Sequence, residues 1–75
     1  MNKEEFEEIF FRGVLGGRIA SLREEQGFSQ RELAKFCNMP QSTITRIENG
    51  EVSPSLSTLN RIARALSKTV EIGFK

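Results

Sequence analysis

The apolar residues of this chain recur every three or four positions over most of its length, which is typical of amphipathic helices. Along residues 4–26, four of them share one stripe: Phe11, Leu15, Ile19 and Leu22. Gly27 is suited to end this helix. Three glycines inside the stretch weaken helix formation, so either one long helix bends there or a short leader helix precedes the true first helix.

A second helix is predicted directly after Gly27. Ser29 is followed three residues later by Glu32, and this pair forms a capping box, in which each side chain satisfies a free backbone N–H of the other's residue. The helix then extends to about Cys37. Ala34, a small residue on its inward side, allows a following helix to pack closely against it.

A turn and two further helices complete the helical part of the chain. Residues 38–40 indicate the turn, and Asn38 is the residue there that best tolerates left-handed backbone. A third helix is predicted over about residues 41–49, because Gly50 is suited to stop it. Ser55 is a natural N-cap for a fourth helix, whose apolar residues again share one face.

The period of the pattern changes at the end of the chain. Over residues 69–75 the apolar side chains of Val70, Ile72 and Phe74 alternate with the others, which predicts a β-strand. Nothing else in the sequence predicts a strand that could pair with it, and a lone strand is unstable. We therefore expect these residues to form a homodimer interface by pairing across a two-fold axis, with a frayed tail as the alternative.

A second apolar stripe lies on the opposite side of the first predicted helix. It consists of Phe6, Ile9, Phe10, Gly13 and Gly17. A helix in so small a domain cannot bury both faces in its own core. The surplus face either docks on the dimer mate or on another protein, or the segment folds back over the core of this domain.

Composition and charge restrict the classes of function. The net charge is +1, but residues 1–8 hold one lysine against four glutamates, so the rest of the chain is basic and permits phosphate binding. With no histidine and a single cysteine, Cys37, we expect no metal, no cofactor and no enzyme activity. No apolar run approaches the roughly 20 residues that span a bilayer, and the acidic start is unlike a secretory signal, which favours a cytoplasmic protein.

The third predicted helix divides into an apolar and a polar side. Ile44 and Ile47 fall on the apolar side and would anchor the helix, whereas the polar side carries Gln41, Ser42, Thr45, Arg46 and Asn49. Two short helices joined by a tight turn form a helix-turn-helix, whose second helix can enter a DNA major groove. Glutamine can bond adenine and arginine can bond guanine there, although a solvated helix face is the simpler interpretation of this helix taken alone.

Residues from about 15 to 66 resemble the Xre family, the Cro/repressor type of helix-turn-helix regulators. The resemblance rests on five stretches in order: LGGRI at 15–19, LREEQG at 22–27, SQRELA at 29–34, STITRIENG at 42–50 and PSLSTL at 54–59. It implies a mainly α, lambda-repressor-like bundle of four to five helices. We accordingly expect a helical leader over residues 1–14, a DNA-binding domain over 15–67 and a dimerisation strand over 68–75.

The resemblance also implies roles for individual residues. Gln41, Ser42 and Arg46 would contact bases, and we expect Thr45, on the same face, to contact a base as well. Gln30, Thr43 and Asn49 would lie at phosphates, with Gln30 also bracing the third helix. Arg23 and Glu48 match a structural ion pair of the family. Two departures are Asn38, where the family usually has glycine, and the C-terminal strand, where many phage repressors continue into a fifth helix.

The function that these residues predict is sequence-specific binding of double-stranded DNA by a transcriptional regulator, most simply a repressor on a palindromic operator. One alternative is the antitoxin of a toxin–antitoxin pair, which represses its own operon and binds a toxin protein. Residues 61–74 resemble that branch of the family more than the phage repressors. A third hypothesis, a protein-interaction module that has lost DNA binding, conflicts with the polar side chains on the third helix.

Overall fold

The computed structural model describes residues 1–74 and is mainly α. Its four helices are α1 (Lys3–Glu25), α2 (Gln30–Cys37), α3 (Gln41–Glu48) and α4 (Leu56–Ala65). Helix α2 packs against both α3 and α4, and α1 packs against α3. No helix among residues 1–74 is long and apolar enough to cross a membrane.

Side-chain caps begin three of the helices. The Asn2 side chain accepts a hydrogen bond from the Glu5 backbone at the start of α1. At α2 the predicted capping box is confirmed: Ser29 Oγ accepts from the Glu32 N–H at 3.0 Å, and Glu32 accepts from the Ser29 N–H at 2.9 Å. Ser55 caps α4 by accepting from the Thr58 N–H at 3.1 Å. The starting points of α2 and α4 are therefore determined locally.

Helix α1 is continuous over 23 residues, so the two alternatives for the N-terminal segment resolve in favour of one long helix. The boundary expected between residues 14 and 15 falls inside it. Gly16 is buried because α1 and α3 approach closely there, and a Cβ at this position would lie 2.7 Å from the Glu48 carbonyl oxygen. Gly50 packs over the backbone of Gly13 in the same region. The first contact requires glycine at position 16 of α1, and the second leaves little room for a side chain at position 50.

The turn of the helix-turn-helix contains the left-handed residue predicted for it. Asn38 has φ 56° and ψ 49°, and its N–H bonds back to the last turn of α2. The guanidinium of Arg61 on α4 donates to the carbonyl oxygens of Cys37 and Asn38. Helix α4 thus completes the hydrogen bonding at the end of α2.

The hydrophobic core lies among the four helices. Its buried members are Ile19, Leu33, Ala34, Cys37, Ile44, Ile47, Ile62 and Leu66. Burial raises the pKa of the Cys37 thiol. The placement of Phe11 on the core stripe is wrong, since this residue is 64% exposed. Helix α1 first contacts the core at Leu15, and residues 3–11 of this helix are all exposed.

The N-terminal aromatic face does not fold back over the domain. Phe6, Ile9 and Phe10 are all exposed. The aromatic rings of this segment contact one another instead. The ring centroids of Phe6 and Phe10 lie 6.4 Å apart, and those of Phe10 and Phe11 lie 5.8 Å apart. Of the interpretations given above, docking on a second copy or on another protein remains.

The predicted C-terminal strand is not formed in the single chain over the part of it that is described. Residues 69–74 belong to neither a helix nor a strand, and Lys75 lies outside the described residues. A strand needs a neighbouring backbone for its hydrogen-bond ladder, and no element within residues 1–74 supplies one. Val70 is half-buried, whereas Ile72 is 64% and Phe74 is 97% exposed.

Candidate nucleic-acid interface

Helix α3 is anchored on one side and free on the other. Ile44 and Ile47 are almost fully buried between α1, α2 and α4, which fixes the orientation of the helix about its own axis. The exposed residues of the opposite side are Gln41, Ser42, Arg46 and Asn49. Together with the half-buried Thr45 between them, they form one rigid surface, which we call the recognition face.

Behind this face, a buried ion pair joins α1 to α3. Arg23 Nε donates to Glu48 Oε2 at 2.8 Å, and Arg23 Nη2 donates to Glu48 Oε1 at 3.0 Å. The side chain of Glu48 is 4% exposed and that of Arg23 is 12% exposed. A third bond, from Arg23 Nη1 to the Phe28 carbonyl oxygen, holds the loop before α2. Hydrogen bonding to Glu48 raises the pKa of Arg23, so this arginine stays charged.

Gln30 connects the same carboxylate to the recognition face. Its Nε2 donates to Glu48 Oε1 at 3.0 Å, and its Oε1 accepts from the Thr45 hydroxyl at 2.8 Å. Arg23, Glu48, Gln30 and Thr45 therefore form one chain of hydrogen bonds across α1, α2 and α3, which we call the bracing network. It fixes α3 relative to α2, the relationship on which entry into a groove depends.

The residues expected at phosphates lie at different places around α3. Gln30 is half-buried at the first position of α2, and Thr43 is half-buried in the first turn of α3. Asn49 is the exposed C-cap of α3, where its side chain lies 3.4 Å from a Glu51 carboxylate oxygen. The structure thus brings Gln30 to the centre of α3 and leaves Asn49 at its far end.

Two contacts at this site were missing from the interpretation of the sequence. The bond between Thr45 and Gln30 engages a hydroxyl that the helical pattern leaves free on the recognition face. The bonds from Arg61 to the end of α2 hold the turn in place from a distant helix. Neither has a local signal, because each joins residues more than ten positions apart. Among the described residues, no three acidic or cysteine side chains are grouped in a way that could hold a metal ion.

Comparison with known proteins agrees with this geometry. A helix-turn-helix family model, HTH_3, matches residues 19–72. An uncharacterized HTH-type transcriptional regulator of Haemophilus influenzae is 35% identical over 71 residues, which cover 95% of this chain and 72% of that relative. The antitoxin HipB of Escherichia coli is 30% identical over 67 residues, which cover 89% of this chain and 71% of the antitoxin. Several other relatives are longer, and the chain spans 26% to 37% of their length.

A solved structure extends the similarity to the fold. The restriction-modification controller protein C.AhdI from Aeromonas hydrophila superimposes with a TM-score of 0.76 and is 29% identical. The match covers 77% of this chain and 88% of that protein. Since the family model covers well over half of the sequence and the helix-turn-helix is formed by α2 and α3, the chain belongs to the HTH_3 family of helix-turn-helix proteins.

Proposed function

We propose that this protein is a sequence-specific transcriptional regulator that places α3 in the major groove of double-stranded DNA. The observation that carries the proposal is the recognition face, which is polar, exposed and held from behind by Ile44, Ile47 and the bracing network. A helix whose polar face is merely solvated does not need its orientation to be fixed by buried anchors and a hydrogen-bond network. By occupying its operator, the protein would act as a repressor.

Within this proposal, each exposed residue has a role that its chemistry permits. Gln41 can bond both groove atoms of adenine, Arg46 can bond guanine, and Ser42 can serve either base. Gln30 uses one N–H of its amide for Glu48, which leaves the other N–H for a phosphate. Thr43 and Asn49 would supply the remaining phosphate contacts, since hydroxyl and amide groups commonly bond phosphate oxygens.

Dimerisation through residues 69–75 is part of the proposal. Val70 lines an open apolar hollow of about 310 Å³ between α1 and α4, while Ile72 and Phe74 are exposed close by in the sequence. Pairing with the same segment of a second copy would supply the missing strand partner and cover these side chains. Two recognition helices related by a two-fold axis would then match palindromic half-sites about 34 Å apart.

In this arrangement residues 15–67 form the DNA-binding domain, and residues 1–14 extend α1 beyond it. A cytoplasmic location with access to the nucleoid follows from the same proposal. The experiment that tests the function is selection of bound duplexes from a random DNA pool. We expect enrichment of a palindromic sequence whose half-sites lie about one helical turn apart. A pool that stays random after repeated rounds would contradict sequence-specific binding.

A second candidate function is that of an antitoxin. It is favoured by the similarity to HipB and by the exposed aromatic face of Phe6, Ile9 and Phe10, which DNA binding does not use. To test it, the gene adjacent to this one is expressed alone and together with this chain. Growth arrest by the neighbour that co-expression relieves, with a complex of the two proteins, supports the antitoxin function. A harmless neighbour that forms no complex contradicts it.

A further inference from the structure

Thr45 is at the centre of the recognition face, yet its hydroxyl is already engaged. Gln41 precedes it by one helical turn and Asn49 follows it by one turn. The hydroxyl donates to Gln30 Oε1 at 2.8 Å, and Gln30 is itself held by the buried carboxylate of Glu48. Turning the hydroxyl toward a base would leave the Gln30 oxygen without this donor and would disconnect the bracing network.

The bond to Gln30 determines which part of the side chain remains for DNA. The Cβ atom of threonine carries one hydroxyl and one methyl group, and here the hydroxyl is directed to α2. Thr45 is half-buried as a residue. Because its hydroxyl is engaged, the methyl group is the substituent of the Cβ atom that is left to contact a groove. Among the polar side chains of the recognition face, it is a small apolar contact point.

We propose that Thr45 reads DNA through its methyl group, by apolar contact with the C5 methyl group of a pyrimidine. In the major groove that methyl group distinguishes thymine from the other three standard bases. The same group is present on 5-methylcytosine. This inference rests on the proposed function, because it assumes that α3 enters the major groove, and it goes further by naming the chemical group that one residue recognises.

The test uses two matched variants on the operator obtained by selection. Thr45→Ser keeps the hydroxyl for Gln30 and removes the methyl group, whereas Thr45→Val keeps a methyl group and removes the hydroxyl. Each thymine is replaced in turn by deoxyuridine in both half-sites, which removes only the C5 methyl group. A second series replaces single cytosines by 5-methylcytosine. Affinity is measured by fluorescence anisotropy, and thermal unfolding checks that both variants are folded.

At one position the wild type should lose roughly four-fold in affinity per half-site on replacement of thymine by uracil, as expected for one buried methyl group. Thr45→Val should keep this loss, and Thr45→Ser should bind both duplexes equally. Stronger binding to one 5-methylcytosine duplex, absent in Thr45→Ser, would assign the contact to that base instead. If Thr45→Ser distinguishes thymine from uracil as the wild type does, the inference is wrong while the proposed function stands. If selection yields no operator, both fail.

Discussion

The guanidinium of Arg23 and the carboxylate of Glu48 meet through two hydrogen bonds of 2.8 and 3.0 Å, although 25 positions separate the residues in the sequence. The pair is almost completely buried. It joins the last turn of α1 to the last turn of α3, and through Gln30 it reaches the recognition face. The bond that stabilises the domain therefore also orients the helix proposed to read DNA.

Removal of one partner of this pair should destabilise the protein strongly. Arg23→Met leaves the Glu48 carboxylate buried without its main partner, which costs about 3–5 kcal/mol of unfolding free energy. The double variant Arg23→Met/Glu48→Leu should recover most of that loss, because no isolated buried charge remains. Urea unfolding followed by circular dichroism measures both. A single variant within about 0.5 kcal/mol of the wild type, well below the cost of an unpaired buried charge, would contradict this interpretation.

Gly16 and Gly17 are neighbours that should respond oppositely to substitution by alanine. A Cβ on Gly16 would lie 2.7 Å from the Glu48 carbonyl oxygen and still closer to that of Ile47, so α1 and α3 must separate. We expect Gly16→Ala to lose about 1–3 kcal/mol of stability, as overpacked sites do. Nothing lies within 4 Å of a Cβ on Gly17, so Gly17→Ala should gain about 0.5–1 kcal/mol from better helix formation. Equal effects of the two substitutions on the thermal midpoint would refute the close contact.

The capping box of α2 makes stability depend on acid pH. Hydrogen bonds from the Ser29 backbone N–H and hydroxyl lower the pKa of Glu32 from its ordinary value of 4.5. A group whose pKa is lower in the folded state contributes stability above the unfolded pKa, and this contribution is lost as the pH falls through the folded pKa. Glu32→Gln should therefore flatten the decline in stability below about pH 4.5, as followed by urea unfolding. The control Glu25→Gln, at the exposed end of α1, should leave the decline unchanged. If Glu32→Gln and the wild type lose stability equally as the pH falls, the cap does not contribute in this way.

Deletion of residues 69–75 should convert a dimer into a monomer. Light scattering of the intact chain is expected to give twice the mass of one chain, and the truncated chain should give one. The substitution Ile72→Asp should have the same effect, because this side chain is on the apolar side of the segment. Glu71→Ala, on the alternate side, is the matched control and should remain dimeric. A truncated protein that is still dimeric would show that the interface lies elsewhere, for instance at the aromatic face of α1.

The parts of the fold that depend on neighbouring residues could be predicted from the sequence. The cap formed by Ser29 and Glu32 and the left-handed turn at Asn38 involve only residues a few positions apart. The burial of Ile44 and Ile47 follows from the helical period. The position of α1 on α3 could not be predicted in this way, because the reason for glycine at position 16 is a backbone 31 positions away.

One prediction is wrong and another is not met in the single chain, for related physical reasons. Phe11 shares the stripe of the core residues, but periodicity gives only the direction of a side chain and not where the neighbouring helices end. The strand over residues 69–75 has the correct alternation for a strand, but a ladder forms only when a partner backbone is present. The hydrogen bond from the Thr45 hydroxyl to Gln30 likewise could not be predicted from the sequence pattern, since it depends on the packing of α2 against α3.

The most direct test of the proposed function compares Gln41→Ala and Arg46→Ala with the wild type on the selected operator and on a duplex of unrelated sequence. Each substitution should weaken operator binding by about 1–3 kcal/mol and relax specificity at one base position. The control Arg64→Ala, an exposed arginine on α4, should retain both affinity and specificity. If Gln41→Ala and Arg46→Ala both bind the operator as tightly and as selectively as the wild type, α3 does not read the DNA sequence through this face.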